Sequence, residues 1–174
     1  MKNSLLHFLF LFIALLVAQV VCSKIVLFGV AMPVIYIYLI LRLPVNYSIN
    51  WTLTIAFLFG LFVDMFNNTQ GMNSLACTVM AMARRPVFNF FIVLREDEEG
   101  GDPVPCVDTV GIANYLKYLS TLVFIFCTVL FLAQAFTLHN LPLTILRIIA
   151  SSFLSILLIF GIDSLVSTER EKRL

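Results

Sequence analysis

The chain has 174 residues, of which 61% are hydrophobic and 12% are charged, and its formal net charge is +1. Its mean hydropathy is +1.02, whereas about a quarter of the residues of a soluble globular chain are charged. The net charge by itself says nothing about nucleic acid, but the sequence has no basic stripe with interleaved aromatics, which argues against nucleic-acid binding. The sequence therefore predicts an all-α integral membrane protein.

Six apolar stretches are separated by short polar or turn-forming segments. A membrane-spanning helix needs about 20 apolar residues, and most of the stretches approach or exceed that length. They predict one transmembrane domain over residues 1–174, built as a six-helix bundle. The predicted spans are 4–21, 25–41, 51–66, 72–83, 115–136 and 143–166.

The first stretch is interpreted as a membrane span and not as a cleaved signal peptide. It is longer than the usual hydrophobic region of a signal peptide, and no small-residue cleavage site follows it. The second span contains Pro33, for which we expect a kink and not a break, because neighbouring helices can satisfy the freed carbonyl. The third begins at Trp51, whose ring suits a membrane interface, and residues 67–71 form an uncharged turn.

The fourth span is predicted to be short. A helix continued to residue 94 would place Arg84 and Arg85 at the bilayer centre, at a cost of about 2.5–3.5 kcal/mol each. Pro86 also biases the preceding residue towards an extended conformation. The sequence thus favours a helix over 72–83 that ends at the arginines, with residues 87–94 along the interface or under the bundle.

An acidic loop over residues 95–110 is the one sizeable polar segment, and a charged tail follows the last span. An even number of spans places both termini on one side of the membrane. Nine basic residues fall on that side and two on the other, which identifies it as the cytoplasm. The nine are Lys2, Arg42, Arg84, Arg85, Arg95, Lys117, Arg170, Lys172 and Arg173, and the two are Lys24 and Arg147.

Polar residues inside a membrane are expensive, so they are the first candidates for function. Asp64 and Arg147 have similar predicted depths, and they either pair across the bundle or remain separate. In the second case Asp64 caps the turn over 67–71 or the start of the next helix, where an acid suits the helix dipole. Gly60 lies one turn earlier and lets a helix approach closely. Gly71 supplies a turn conformation that other residues adopt poorly.

The remaining charged candidates each have two interpretations. Arg84 and Arg85 either bind an anionic partner or lipid headgroups, or act as a stop-transfer anchor. The acidic loop either folds back onto them or stays solvated. Asp163, near the inner end of the last span, is interpreted as an interfacial residue and not as a proton relay.

No catalytic or metal-binding motif is present in the sequence. It lacks GxSxG, HExxH and P-loop patterns, and His7 and His139 have no paired carboxylate. The four cysteines match neither a CxxC pair nor zinc spacing. The sequence therefore predicts a protein that is not an enzyme and that has no metal or cofactor.

One block of the sequence carries a family resemblance. From residue 57 to residue 86 it combines Gly60-x-x-x-Asp64, a short polar turn, Gly71, and a helix of small residues that ends in Arg84-Arg85-Pro86. This block resembles the MreD family of bacterial rod shape-determining membrane proteins. Outside the block, length, span number and the charged tail agree by layout alone.

The resemblance implies a fold similar to the substrate-binding subunits of energy-coupling-factor vitamin transporters. It also implies a non-enzymatic scaffold or regulatory subunit of the cell-wall elongation machinery in the inner membrane. The implied partners are MreC and, through it, the actin-like MreB, the RodA glycosyltransferase and its penicillin-binding transpeptidase. We expect one contact surface around Gly60, Asp64 and Gly71 and another around Arg84, Arg85 and the acidic loop.

The shared fold keeps an alternative open, which is the substrate-binding subunit of a small-molecule transporter. Such a subunit would converge polar or aromatic side chains in one outward-facing cavity. The candidates for that cavity are Asp64, Asn73, Ser74, Gln134 and Arg147.

Overall fold

The computed structural model describes residues 19, 32–43, 45, 47–91, 111–135 and 141–171. Over these residues the regular secondary structure is entirely helical and contains no strand, as the all-α prediction requires. The helices are α1 (Ile37–Leu41), α2 (Ile49–Asn67), α3 (Met72–Phe91), α4 (Ile112–Gln134) and α5 (Leu141–Glu171).

Three described helices are long and apolar enough to cross a membrane, namely α2, α4 and the Pro142–Asp163 part of α5. Their outer faces keep large apolar side chains exposed, which is typical of a surface that lipid or a membrane partner covers. On α2 and α5 these side chains include Trp51, Phe62, Met65, Phe66, Phe153 and Leu157. The chain is thus an all-α protein with membrane-spanning character.

The six-helix bundle goes beyond what the described residues support. The predicted spans 51–66, 115–136 and 143–166 correspond to α2, α4 and α5. The predicted first span lies outside the described residues except for Gln19, and so does the acidic loop.

The second predicted span is the first correction, because a continuous helix through Pro33 is wrong. Residues 32–35 are not helical, and α1 is only five residues long. Proline removes one backbone donor and disfavours a helical conformation in the residue before it. The described part of the predicted span, residues 32–41, is therefore not one continuous helix, and we name residues 32–35 the broken segment.

Two serines of α5 satisfy the backbone of this broken segment. The Met32 N–H donates to the Ser151 hydroxyl and the Val34 N–H donates to the Ser155 hydroxyl, each at 3.0 Å. Non-helical backbone at membrane depth persists only where protein or water satisfies it, because lipid offers no hydrogen bonds. Ser151 and Ser155 therefore supply the acceptors that allow this segment to remain non-helical.

The Gln19 side chain satisfies the same segment from the other direction. Its amide nitrogen donates to the Pro33 carbonyl at 3.0 Å, and its amide oxygen accepts from the Ile35 N–H at 2.8 Å. One amide thus replaces two backbone hydrogen bonds that a continuous helix would have made.

The fourth predicted span is the second correction. The helix does not end at residue 83 but continues through Arg84, Arg85 and Pro86 to Phe91. The predicted cost assumed that the arginines face lipid. In the structure the Arg84 side chain is buried against protein polar groups, so that cost does not arise.

The order of packing follows the order of the chain. Helix α3 lies between α2 and α4, and α4 packs on α5. The segment from Val34 to Leu41 is buried along its whole length, and the inner face of α4 from Leu119 to Phe126 packs in the same core. The broken segment and α1 therefore form the interior of the described bundle.

We expect Ser151→Ala and Ser155→Ala each to lower the free energy of unfolding by about 1–3 kcal/mol, because the first leaves a partly buried and the second a fully buried backbone N–H without an acceptor. Ser152→Ala is the matched control, since Ser152 is also buried on α5 but its hydroxyl accepts no backbone N–H of the broken segment. Thermal unfolding in mild detergent measures the three variants. Equal melting temperatures of the three variants would contradict the role of Ser151 and Ser155 as acceptors for these backbone N–H groups.

Candidate functional site

The turn between α2 and α3 is built from residues that tolerate unusual backbone angles. Helix α2 ends at Asn67, and Asn68 adopts the left-handed conformation with φ of 55°. Gly71 has φ of 78°, which a residue with a Cβ rarely adopts. Its carbonyl accepts the Leu75 N–H at 3.0 Å and so begins α3.

The Asp64 carboxylate caps the start of α3. One oxygen accepts from the Asn73 backbone N–H at 3.1 Å, from the Asn73 side-chain amide at 2.9 Å, and from the Thr69 hydroxyl. The other accepts from the Ser74 N–H at 2.9 Å and from the Ser74 hydroxyl at 2.6 Å. Free backbone donors at a helix start favour an acid in this position.

The capping interpretation of Asp64 is thus confirmed, and the pairing with Arg147 is not observed. Arg147 is exposed on α5, and no ion pair joins it to Asp64. Five hydrogen-bond donors from α3 and the preceding turn surround the Asp64 carboxylate, so its negative charge is stabilised without a neighbouring cation.

The cap continues into the interior through Asn73. Its side-chain oxygen accepts from the Tyr36 hydroxyl at 3.2 Å, and the Cys77 thiol lies 3.6 Å from the same hydroxyl. The Tyr36 ring packs edge-on against Phe126, with the ring centroids 5.9 Å apart. The polar chain thus ties α3 to the segment just before α1.

Gly60 is the point of closest contact between α2 and α3. A Cβ placed there would lie 2.4 Å from the Ser74 Cα and 2.7 Å from the Asn73 carbonyl oxygen. Both atoms belong to the backbone of α3 and cannot rotate away. The close helix approach expected at Gly60 is therefore present, and it brings Asp64 within reach of the α3 donors.

Arg84 is 3% exposed, and its guanidinium donates hydrogen bonds to groups inside the protein. Its Nε donates to the Tyr118 hydroxyl at 3.2 Å, and one terminal nitrogen donates to the Leu41 carbonyl at 3.3 Å. The Tyr118 ring in turn packs edge-on against Phe88. Arg84 thus joins α3 to α4 and to the end of α1.

Arg85 is half-buried and holds the connection between α1 and α2. Its Nε donates to the Val45 carbonyl at 3.3 Å, and a terminal nitrogen donates to the Tyr47 carbonyl. A cavity of about 10 Å³ beside both arginines, lined also by Val45, Ile49, Thr52 and Ala81, is about the size of one water. A bound phosphate would have to displace these contacts.

A second polar cluster, which we name the inner charge cluster, consists of Tyr38, Arg42 and Asp163. The Tyr38 hydroxyl donates to one Asp163 oxygen at 2.9 Å, and the Arg42 Nε lies 3.7 Å from that oxygen. The Arg42 guanidinium also lies 5.5 Å from the centroid of the Tyr38 ring. Asp163 is completely buried in the protein, whereas the sequence interpretation placed it at the interface.

Sequence reasoning missed this cluster and the serines above it. The available signal was spacing, because Ser151, Ser155, Ile159 and Asp163 recur every four residues on one face of α5. All four side chains are buried. A polar stripe on an apolar helix indicates a face turned towards protein and not towards lipid.

The chemistry that these residues support is hydrogen bonding between elements. Asn73 and Ser74 donate to the Asp64 carboxylate, and Arg84 and Arg85 donate to backbone carbonyls and to a tyrosine hydroxyl. Within the described ranges, no group of three or more His, Cys, Asp or Glu side chains is placed to hold a metal ion. Comparison of the chain with protein families, with curated proteins and with solved structures found no match.

Proposed function

We propose that this chain is an MreD-like scaffold or regulatory subunit of the bacterial cell-wall elongation machinery, and that it is not an enzyme. The proposal rests on one observation, which is that the residues on which the resemblance is based all lie in one pair of packed helices, α2 and α3, and the turn between them. Gly60, Asp64 and Gly71 lie at the α2–α3 junction. Arg84 and Arg85, towards the other end of α3, donate hydrogen bonds to α4, to the end of α1 and to the connection between α1 and α2. We name this unit, residues 49–91, the α2–α3 hairpin.

The proposal includes the six-span topology in the inner membrane with both termini in the cytoplasm. Its direct partner is MreC, and its indirect partners are MreB, RodA and the transpeptidase. The excess of Lys and Arg on one side of the predicted spans supports this orientation. Helices α2, α4 and α5 supply three of the six spans.

The occupied polar groups favour a scaffold over a transporter subunit. Of the candidates for an outward-facing ligand cavity, Asn73 and Ser74 already donate hydrogen bonds to Asp64. Gln134 and Arg147 are exposed on α4 and α5 and do not converge on them. A ligand would have to compete with five existing hydrogen bonds for the Asp64 carboxylate.

Burial also revises where a partner would bind. Gly60 and Asp64 are buried against α3, so neither residue is itself available to a partner at the surface expected around them. Exposed apolar side chains of the hairpin, among them Met65 and Phe66 on the outer face of α2, are what a transmembrane partner can contact. Aromatic and methionine side chains are frequent at the centres of such contacts.

Purification of the tagged chain from bacterial membranes in mild detergent, followed by mass spectrometry, tests the proposal. We expect to recover MreC together with RodA and its transpeptidase. Recovery of paired ATPases with a coupling membrane subunit would instead establish the transporter role. Recovery of neither set would remove the support for a scaffold of cell-wall elongation.

A matched pair of variants locates the contact. We expect Met65→Ala with Phe66→Ala to reduce recovery of MreC, because both side chains project from the hairpin. Phe153→Ala with Leu157→Ala removes similarly exposed side chains from α5 and should leave recovery unchanged. The reverse pattern would place the contact on α5 and overturn the assignment to the hairpin.

A further inference from the structure

The inner charge cluster contains two buried polar atoms that no described residue satisfies. These are the Arg42 Nε and the second carboxylate oxygen of Asp163, Oδ2. Asp163 Oδ1 already accepts from Tyr38, and it lies 3.7 Å from the Arg42 Nε, which is too far for a direct hydrogen bond. Charge complementarity brings the two groups together, but hydrogen bonding between them is incomplete.

Such an arrangement is costly unless a further group completes it. A buried ion pair recovers its desolvation cost only when additional hydrogen bonds satisfy its remaining donors and lone pairs. Buried polar atoms without a protein partner are a common sign of an internal water, which needs two to four polar partners. The Arg42 Nε supplies a donor and Asp163 Oδ2 supplies an acceptor, and a water matches both.

We propose that an internal water binds between Arg42 and Asp163. It accepts from the Arg42 Nε and donates to Asp163 Oδ2, so that the pair is water-mediated and not direct. The Arg42 side chain is 13% exposed, whereas that of Asp163 is 1% exposed, so water reaches the carboxylate past the arginine. The bundle therefore holds a hydrated acid in its interior, on a site separate from the α2–α3 hairpin.

Hydroxyl-radical footprinting of the full chain in detergent, with radicals generated from water by an X-ray pulse, tests this site. Radicals form where water is bound and oxidise adjacent aromatic rings. Tyr38 and Tyr36 are both buried, at 0% and 4% exposure, and they differ by two positions. The Tyr38 hydroxyl contacts Asp163, whereas that of Tyr36 contacts Asn73. We expect oxidation of Tyr38 well above that of Tyr36.

Removal of both polar partners provides the second arm. In the double variant Arg42→Leu with Asp163→Leu, oxidation of Tyr38 should fall to the level of Tyr36, while unchanged oxidation of Tyr36 shows that the surrounding core is retained. Equal oxidation of the two tyrosines in the unaltered chain would overturn the proposal, whether or not the double variant folds. So would undiminished oxidation of Tyr38 in a folded double variant. Neither result depends on the partners of the chain.

Discussion

Replacement of Asp64 with Leu is expected to destabilise the protein by roughly 3 kcal/mol or more, because it removes the acceptor from several buried donors at once. The backbone N–H groups of Asn73 and Ser74 would lose their partner at the start of α3. Each buried donor left unsatisfied costs about 1–3 kcal/mol, and leucine has no atom that accepts a hydrogen bond. Thermal unfolding in mild detergent measures the loss as a lower melting temperature.

Asp64→Asn is the informative control, because it keeps the size of the side chain. All five groups around the carboxylate donate hydrogen bonds, and an amide offers one accepting oxygen in place of two. The amide nitrogen would therefore face donors on one side, and we expect an intermediate loss of about 1–2 kcal/mol. An Asn variant as stable as the original chain would show that Asp64 does not cap α3 as described.

The buried position of Asp64 limits what a substitution there can show about partner binding. Because Asp64 is buried at the helix junction, weaker recovery of the proposed partner MreC with an Asp64→Leu variant would follow from a damaged hairpin as well as from a lost contact. The exposed pair Met65 and Phe66 separates the two effects, since those side chains do little packing inside the bundle. Stability and partner recovery should therefore be measured on the same preparations.

The parts of the fold that follow from local sequence were predicted well. Apolar length alone located α2, α4 and α5, because the thickness of a bilayer fixes how many apolar residues a span requires. The α2–α3 junction could also be predicted from the sequence, because helix geometry places Gly60 and Asp64 on one face. The positive φ of Gly71 followed from its place in a short turn.

The parts that depend on distant partners were not predicted. A kink was expected at Pro33 because neighbouring helices can satisfy a single freed carbonyl. Two of the groups that satisfy the non-helical backbone in the structure, Ser151 and Ser155, lie more than one hundred residues further along the chain. A pattern read over a window of 20 residues cannot contain them.

Arg84 illustrates the same limit for charge. The insertion cost that predicted an early end to the fourth span treats each residue as if lipid surrounded it. The hydroxyl of Tyr118 and the carbonyl of Leu41 remove that cost, and both come from other elements. The length of α3 is therefore decided by tertiary contacts and not by hydropathy.

The second large effect is expected at Gly60. In Gly60→Ala the added Cβ would lie 2.4 Å from the Ser74 Cα, and real Cβ atoms do not approach a backbone atom so closely. Helices α2 and α3 must then separate by about an ångström or more, which also lengthens the hydrogen bonds from Ser74 to Asp64. Overpacking of this kind costs about 1–3 kcal/mol, and the weakened cap adds to it.

Gly161→Ala is the matched control, because Gly161 also lies within a helix but a Cβ there meets nothing within 4 Å. Alanine is favoured over glycine in a helix by about 1 kcal/mol, so this variant should be as stable as the original chain or slightly more stable. The two substitutions add the same methyl group, and only contact with α3 distinguishes them. Opposite shifts in melting temperature are therefore the expected result, and a Gly60→Ala variant that melts no lower than Gly161→Ala would refute the close crossing of α2 and α3.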